Sequence, residues 1–65
     1  MIENRIKEVR EEIGMSQDEL SKRAGVSRSM ISALEMNKKE DCKLSTMLSI
    51  SEALGKPFTD IFLSQ

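Results

Sequence analysis

A short interruption between two helical segments constrains this fold more than any other feature of the sequence. Two segments with a helical spacing of apolar residues are separated by only Gly25, Val26 and Ser27. Gly25 can adopt a backbone with φ > 0 at no steric cost, which a tight corner between packed helices requires. Val26 has the size to fill the inside of the corner. We therefore expect two helices held at a fixed angle, the second from about Arg28 to Met36.

Apolar residues recur at helical spacing along the rest of the chain. No alternating pattern favours strands, so the sequence predicts an all-α fold in one domain, residues 1–65. The predicted helices are one along the apolar stripe Ile2, Ile6, Val9 and Ile13, ended by Gly14; one from Gln17, after the capping box Ser16 and Glu19; one at about 28–36, capped by Ser27; one at 44–54, ended by Gly55; and a short one carrying Phe58, Ile61 and Phe62, with Pro57 in its first turn.

Length and composition exclude most other classes of protein. The 65 residues include no histidine and a single cysteine, Cys42, so no internal disulfide is expected and a reducing cytoplasm fits. The sequence has neither the apolar run of a signal peptide nor the roughly 20 apolar residues of a membrane span. Paired-cysteine metal spacing and phosphate-binding loops are also missing. We therefore expect no enzyme, no cofactor, no metal site and no small-molecule effector.

The third predicted helix has an outward side made of one arginine and small residues. Projection at 100° per residue places Arg28, Ser29, Ser32 and Ala33 opposite the apolar side. A solvated helix face usually holds long charged side chains, and serine is a mediocre helix former. Small side chains instead allow close approach to base edges, and an arginine can donate two hydrogen bonds to guanine. The pattern favours major-groove binding over an ordinary solvated face.

Five segments of the sequence together form a specific pattern: Ser16-Gln17-Asp18-Glu19-Leu20-Ser21, Gly25-Val26-Ser27, Ile31-Ser32, Leu34-Glu35 and the stretch from Leu44 to Phe62. Together they resemble the Xre or Cro/phage-repressor helix-turn-helix family. The resemblance implies a five-helix, lambda-repressor-like DNA-binding domain that binds operator DNA as a dimer, with the third helix in the major groove.

The resemblance also implies a role for individual residues. It assigns base contacts to Arg28, Ser29, Ser32 and Ala33, and phosphate contacts to Gln17, Ser27, Lys38, Lys39 and Lys43. For each lysine a solvated loop is an equal alternative, because Glu40 and Asp41 are interleaved with them.

Two internal contacts are also expected. The family has an arginine–glutamate pair at the positions of Arg10 and Glu35, and it links the first and third helices; two unrelated surface charges are the alternative. Ser21 stands where the family usually has alanine, and it fits if its hydroxyl bonds back to the preceding turn.

The resemblance also implies a homodimer, whose surface must come from this domain. Met47 and Leu48 are adjacent and cannot both point inward, and the last helix carries more apolar surface than one face can bury. We expect an isologous interface that includes Met47, Phe58, Ile61 and Leu63. The alternative is that these residues only close the core.

Two functions remain open at this stage. Gln17, Arg28 and the outward serines favour a sequence-specific transcription regulator. The net charge of −1, together with Glu40 and Asp41, favours a protein-interaction module or an antagonist of a related regulator that does not bind DNA.

Overall fold

Five helices make up the part of the protein that its computed structural model describes, residues 3–38 and 42–62. No strand occurs in those two ranges; an isolated antiparallel bridge joins Asn4 to Phe62. The predicted all-α class is therefore confirmed. The helices are α1 (Ile6–Glu12), α2 (Gln17–Ala24), α3 (Arg28–Glu35), α4 (Leu44–Leu54) and α5 (Phe58–Ile61).

The corner between α2 and α3 has the backbone that the sequence predicts. Gly25 lies at φ 68°, and the Val26 N–H donates to the Ser21 carbonyl at 3.1 Å. Ser27 then caps α3, with its Oγ accepting from the Met30 N–H at 3.1 Å. The Ser21 hydroxyl donates across the corner to the Val26 carbonyl, so the expected bond to the preceding turn is wrong. Both backbone groups of Val26, the residue after the glycine, are thus hydrogen-bonded to Ser21.

The far end of α3 closes in the same way without a glycine. Asn37 adopts φ 57°, and the Lys38 N–H donates to the Ala33 carbonyl at 2.8 Å. Asparagine tolerates this left-handed conformation better than most residues do. At α5, Pro57 occupies the N-cap position, one residue before the expected first turn.

The core lies between α2, α3 and α4, and α1 and α5 close it. Ile13 was expected in the α1 stripe, yet it is exposed, and Met15 is buried instead. The reason is local, because α1 ends at Glu12 and Gly14, with φ 71°, turns the chain back so that Met15 enters the core. The buried hydrophobic residues are Ile6, Val9, Met15, Leu20, Ile31, Leu34, Ile50, Leu54, Ile61 and Phe62.

The predicted dimer residues differ in their burial. Ile61 is 0% exposed, so its assignment to a surface interface is wrong: the single turn of α5 directs this side chain into the core. Met47 and Phe58 are half buried against the core, and the Phe58 and Phe62 rings lie 5.3 Å apart. Leu63 falls outside the described residues.

Candidate nucleic-acid interface

The exposed side of α3 forms one wall of an open surface depression. Arg28 and Ser29 are exposed, while Ser32 and Ala33 are half buried. We call these four residues the α3 face. Ile31 and Leu34 lie on the opposite side of the helix and are fully buried. The depression is lined by the α3 face together with Gln17, Met36 and Lys38.

Arg28 forms an ion pair with an acid that the sequence analysis did not single out. Its Nη1 donates to Asp18 Oδ1 at 3.1 Å, and the two side chains are 63% and 64% exposed. Asp18 lies in the first turn of α2 and Arg28 in the first turn of α3. The corner at Gly25 brings the starts of the two helices together. Their contact depends on the angle between α2 and α3, so the sequence alone does not predict it.

Arg10 and Glu35 form the expected ion pair between α1 and α3. Arg10 Nε donates to Glu35 Oε2 at 2.7 Å and Nη2 to Oε1 at 3.2 Å, while Nη1 donates to the Met15 carbonyl at 2.8 Å. The two side chains are only 11% and 3% exposed. Hydrogen bonding to Glu35 raises the pKa of Arg10 above its ordinary value, so the guanidinium stays charged.

Gln17 connects this ion pair to the depression. Its Nε2 donates to Glu35 Oε1 at 2.9 Å, and the same residue lines the depression beside Arg28. An amide nitrogen has two N–H groups, so one remains for another acceptor. The contact with Glu35 was not expected, because no spacing rule relates the start of α2 to the end of α3.

The remaining candidate phosphate contacts have different surroundings. Ser27 is exposed at the start of α3, and its hydroxyl can still donate while it caps the helix. Lys38 is exposed and borders the α3 face, and Lys43 is exposed at the N-cap of α4. Lys39, Glu40 and Asp41 lie outside the described residues.

Met36 is a member of the depression that the sequence analysis missed. It is an exposed large hydrophobic residue directly after α3, and its Sδ lies 3.8 Å from the Ser32 Oγ. The spacing of four residues from Ser32 was the signal that could have placed it there.

Neither metal binding nor membrane spanning finds support in residues 3–38 and 42–62. No group of three histidine, cysteine, aspartate or glutamate side chains there is arranged to hold a metal ion. No helix in these ranges combines the length and apolar character needed to span a bilayer. Cys42 is half buried and packs against the core.

Comparison with known proteins agrees with the arrangement of α2 and α3. The sequence profile of a helix-turn-helix family matches residues 6–61, which include all five helices. This chain belongs to that helix-turn-helix family. No curated protein sequence gives a significant match.

Two solved structures are similar to this helix-turn-helix protein. The restriction-modification controller protein C.AhdI from Aeromonas hydrophila has a TM-score of 0.81 and 27% identity, over 86% of this chain and 83% of that one. The N-terminal DNA-binding domain of SinR from Bacillus subtilis has a TM-score of 0.77 and 33% identity, over 83% and 78%. The five-helix, lambda-repressor-like fold expected from the sequence is thus confirmed.

Proposed function

We propose that this protein is a transcription regulator that binds specific duplex DNA sequences and places α3 in the major groove. The observation that carries the proposal is the α3 face, an exposed arginine beside small side chains on a helix whose other side is fully buried. A major groove about 12 Å wide admits a helix with such a face. The similar SinR domain is itself described as DNA-binding, which supports the proposal.

Residues around the α3 face divide into two proposed roles. Arg28 donates to guanine, and Ser29, Ser32 and Ala33 contact neighbouring base edges. Gln17 and Ser27 lie at helix starts, where backbone N–H groups and the helix dipole attract phosphates. The proposed phosphate contacts are Gln17, Ser27, Lys38, Lys39 and Lys43.

Binding as a homodimer belongs to this proposal, because two half-sites one helical turn apart are the usual target of such domains. On α4, Leu44 and Leu48 are four residues apart and are 61% and 48% exposed. Residues at this spacing share a helix face. We therefore propose that Leu44 and Leu48, with the half-buried Met47 on α4 and Phe58 on α5, contact their copies in an isologous interface.

The dimer is tested by sedimentation of Leu48→Lys. We expect the wild-type protein to sediment as a dimer and the variant as a monomer, since a buried unpaired lysine opposes association. Ile13→Lys is the matched control, because Ile13 is 47% exposed just after α1, away from α4, and its substitution should leave the dimer intact. A wild-type protein that stays monomeric at all accessible concentrations excludes this interface.

DNA binding is tested by selecting the duplexes that the protein binds from a random pool. The most enriched duplex is then titrated with the protein in a mobility-shift assay. We expect Arg28→Ala to weaken binding to the selected duplex by about tenfold or more, the value of a bidentate guanine contact. Arg5→Ala is the matched control, because Arg5 is an exposed arginine paired with Glu8 on α1 and should have little effect. Failure of the wild-type protein to bind any duplex at low salt rejects the proposal.

A protein-interaction module is the second candidate. Asp18 favours it, because its carboxylate contacts Arg28, which lines the depression, and a negative charge at that place repels DNA phosphates. This function would appear as specific association with a related regulator in the absence of any duplex binding.

A further inference from the structure

Asp18 is an acid beside the surface proposed to meet DNA. Its carboxylate is exposed and accepts a hydrogen bond from the Arg28 Nη1. Repulsion between this carboxylate and the phosphates should weaken DNA binding. Asp18 nevertheless contacts Arg28, the residue proposed to bind guanine. The ion pair with Asp18 therefore affects how strongly Arg28 binds phosphates relative to bases.

The contact leaves most of the Arg28 guanidinium available. A guanidinium carries five N–H donors, and the contact with Asp18 engages the Nη1 group. Nη2 and Nε remain as an edge with two parallel donors. Guanine needs such an edge, because its O6 and N7 accept two hydrogen bonds side by side. A phosphate instead attracts the net charge of the side chain, which Asp18 partly cancels.

Asp18 can hold this position at little cost to the fold. It lies in the first turn of α2, where the helix dipole favours a negative charge. The other acid of that turn, Glu19, accepts from Arg23 at 2.7 Å within α2. Asp18 is thus the acid of this turn that pairs with α3.

We propose that Asp18 is a specificity-determining residue, which weakens the attraction of Arg28 for phosphates and leaves a two-donor edge for guanine. This inference rests on the proposed DNA-binding function. It makes the acid a means of suppressing nonspecific binding rather than a defect of the interface.

The test measures Asp18→Asn on two duplexes, the one selected by the wild-type protein and one of scrambled sequence, over a series of salt concentrations. We expect affinity for the scrambled duplex to rise about fivefold, as the loss of an exposed ion pair allows. Its salt slope should steepen by about one, because Arg28 gains a phosphate contact. Affinity for the selected duplex should change less, so the ratio of the two affinities falls.

Two controls separate this role from a general charge effect. Glu8→Gln removes the same charge from an exposed ion pair on α1 and should leave the affinity ratio unchanged. Asp18→Asn in an Arg28→Ala background should also leave the ratio unchanged, because the proposed effect acts through Arg28. Unfolding curves of all variants check that the fold is retained.

Several outcomes would overturn the inference. The inference fails if Asp18→Asn changes the affinity for both duplexes equally, or if it changes the affinity ratio no more than Glu8→Gln does. It also fails if Asp18→Asn changes the ratio as much in the Arg28→Ala background as in the wild-type protein. Each of these results would show that Asp18 does not act through Arg28. If the wild-type protein binds no duplex, the proposed function fails and this inference fails with it. If the wild-type protein discriminates and Asp18→Asn does so equally well, only the inference fails.

Discussion

Two arginine–carboxylate pairs in the described part of the chain join different helices, and they differ most in their contact with water. The Arg10–Glu35 pair is almost fully buried, with a shortest N–O distance of 2.7 Å. The Arg28–Asp18 pair is mostly exposed at 3.1 Å. The same chemistry thus occurs once inside the fold and once at its surface, and burial decides what each pair can do.

The buried pair has further hydrogen-bond partners, whereas the exposed pair shows none among residues 3–38 and 42–62. Glu35 also accepts from Gln17, and Arg10 also donates to the Met15 carbonyl. Removing one partner leaves the other charge buried and uncompensated. Water can take over from either partner of the exposed pair, so that pair can be exchanged for contacts with a ligand at little cost.

The largest expected effect comes from breaking the buried pair. Glu35→Ala should lower the free energy of unfolding by about 3 kcal/mol, whereas Asp18→Ala should change it by less than about 0.5 kcal/mol. Urea unfolding measures both. Because a domain of this size has only roughly 3 to 10 kcal/mol of stability, Glu35→Gln serves as a milder second variant. Equal losses for Glu35 and Asp18 variants would contradict the contrast between the pairs.

The same conservative substitution in each pair should affect different properties. Arg10→Lys should cost about 2 kcal/mol of stability, because lysine cannot reproduce the forked contacts to Glu35 and Met15. Arg28→Lys should leave stability unchanged and weaken binding to the selected duplex about tenfold, since lysine lacks the guanidinium's planar fork. Urea unfolding and mobility-shift titration of both variants make the comparison. Loss of stability in Arg28→Lys would contradict it.

A smaller loss of stability is expected from a change at the corner between α2 and α3. Ser21→Ala removes the hydrogen bond to the Val26 carbonyl and should lower the free energy of unfolding by about 1 kcal/mol. Ser51→Ala is the matched control. The Ser51 Oγ donates to the Met47 carbonyl within α4, a bond that supplements the helix rather than joining two elements. Thermal unfolding should therefore show a clearly smaller change for Ser51→Ala.

The smallest effect is expected at the Arg5–Glu8 pair, which has forked hydrogen bonds but is not buried. Arg5 donates two hydrogen bonds to Glu8, at 2.8 and 3.3 Å, but this forked pair is exposed. The Arg5 guanidinium lowers the pKa of Glu8 below its ordinary value of 4.5. The pair therefore stabilises the fold above that value, and the contribution is lost as the pH falls through the lowered pKa.

Acid titration of stability tests this third pair. Wild-type protein should lose slightly more stability below the ordinary carboxyl pKa than Glu8→Gln does, and added salt should remove the difference. A loss comparable with that of Glu35→Ala would mean that forked geometry, rather than burial, determines the strength of these pairs.

The sequence predicted the features that depend on neighbouring residues. Caps and spacing located α2, the corner and α3, because Ser16, Gly25 and Ser27 each act within one turn of their own position. The buried side of α3 followed from helical period alone. The Arg10–Glu35 pair came from the family resemblance, because its two residues are 25 positions apart.

Three of the features that were missed have different origins: the first is local, and the other two depend on how the helices pack. The apolar stripe of α1 assumed that the helix continues through Ile13, but the turn at Gly14 places Met15 inside. The Ser21 hydroxyl has acceptors in its own helix and across the corner, and only the folded corner decides between them. The Arg28–Asp18 contact likewise depends on the angle between two helices, which no spacing rule supplies.

The contacts of Asn4 and Arg5 tie the beginning of the described chain to its last helix and to α3. The Arg5 N–H donates to the Ile61 carbonyl at 2.7 Å, and the Asn4 Nδ2 donates to the Leu34 carbonyl at 2.9 Å. Any opening that separates α5 from the rest of the fold must therefore break the hydrogen bond from the Arg5 N–H to the Ile61 carbonyl as well. In a hydrogen–deuterium exchange experiment, the Arg5 and Phe62 amides should lose protection together, as one cooperative unit.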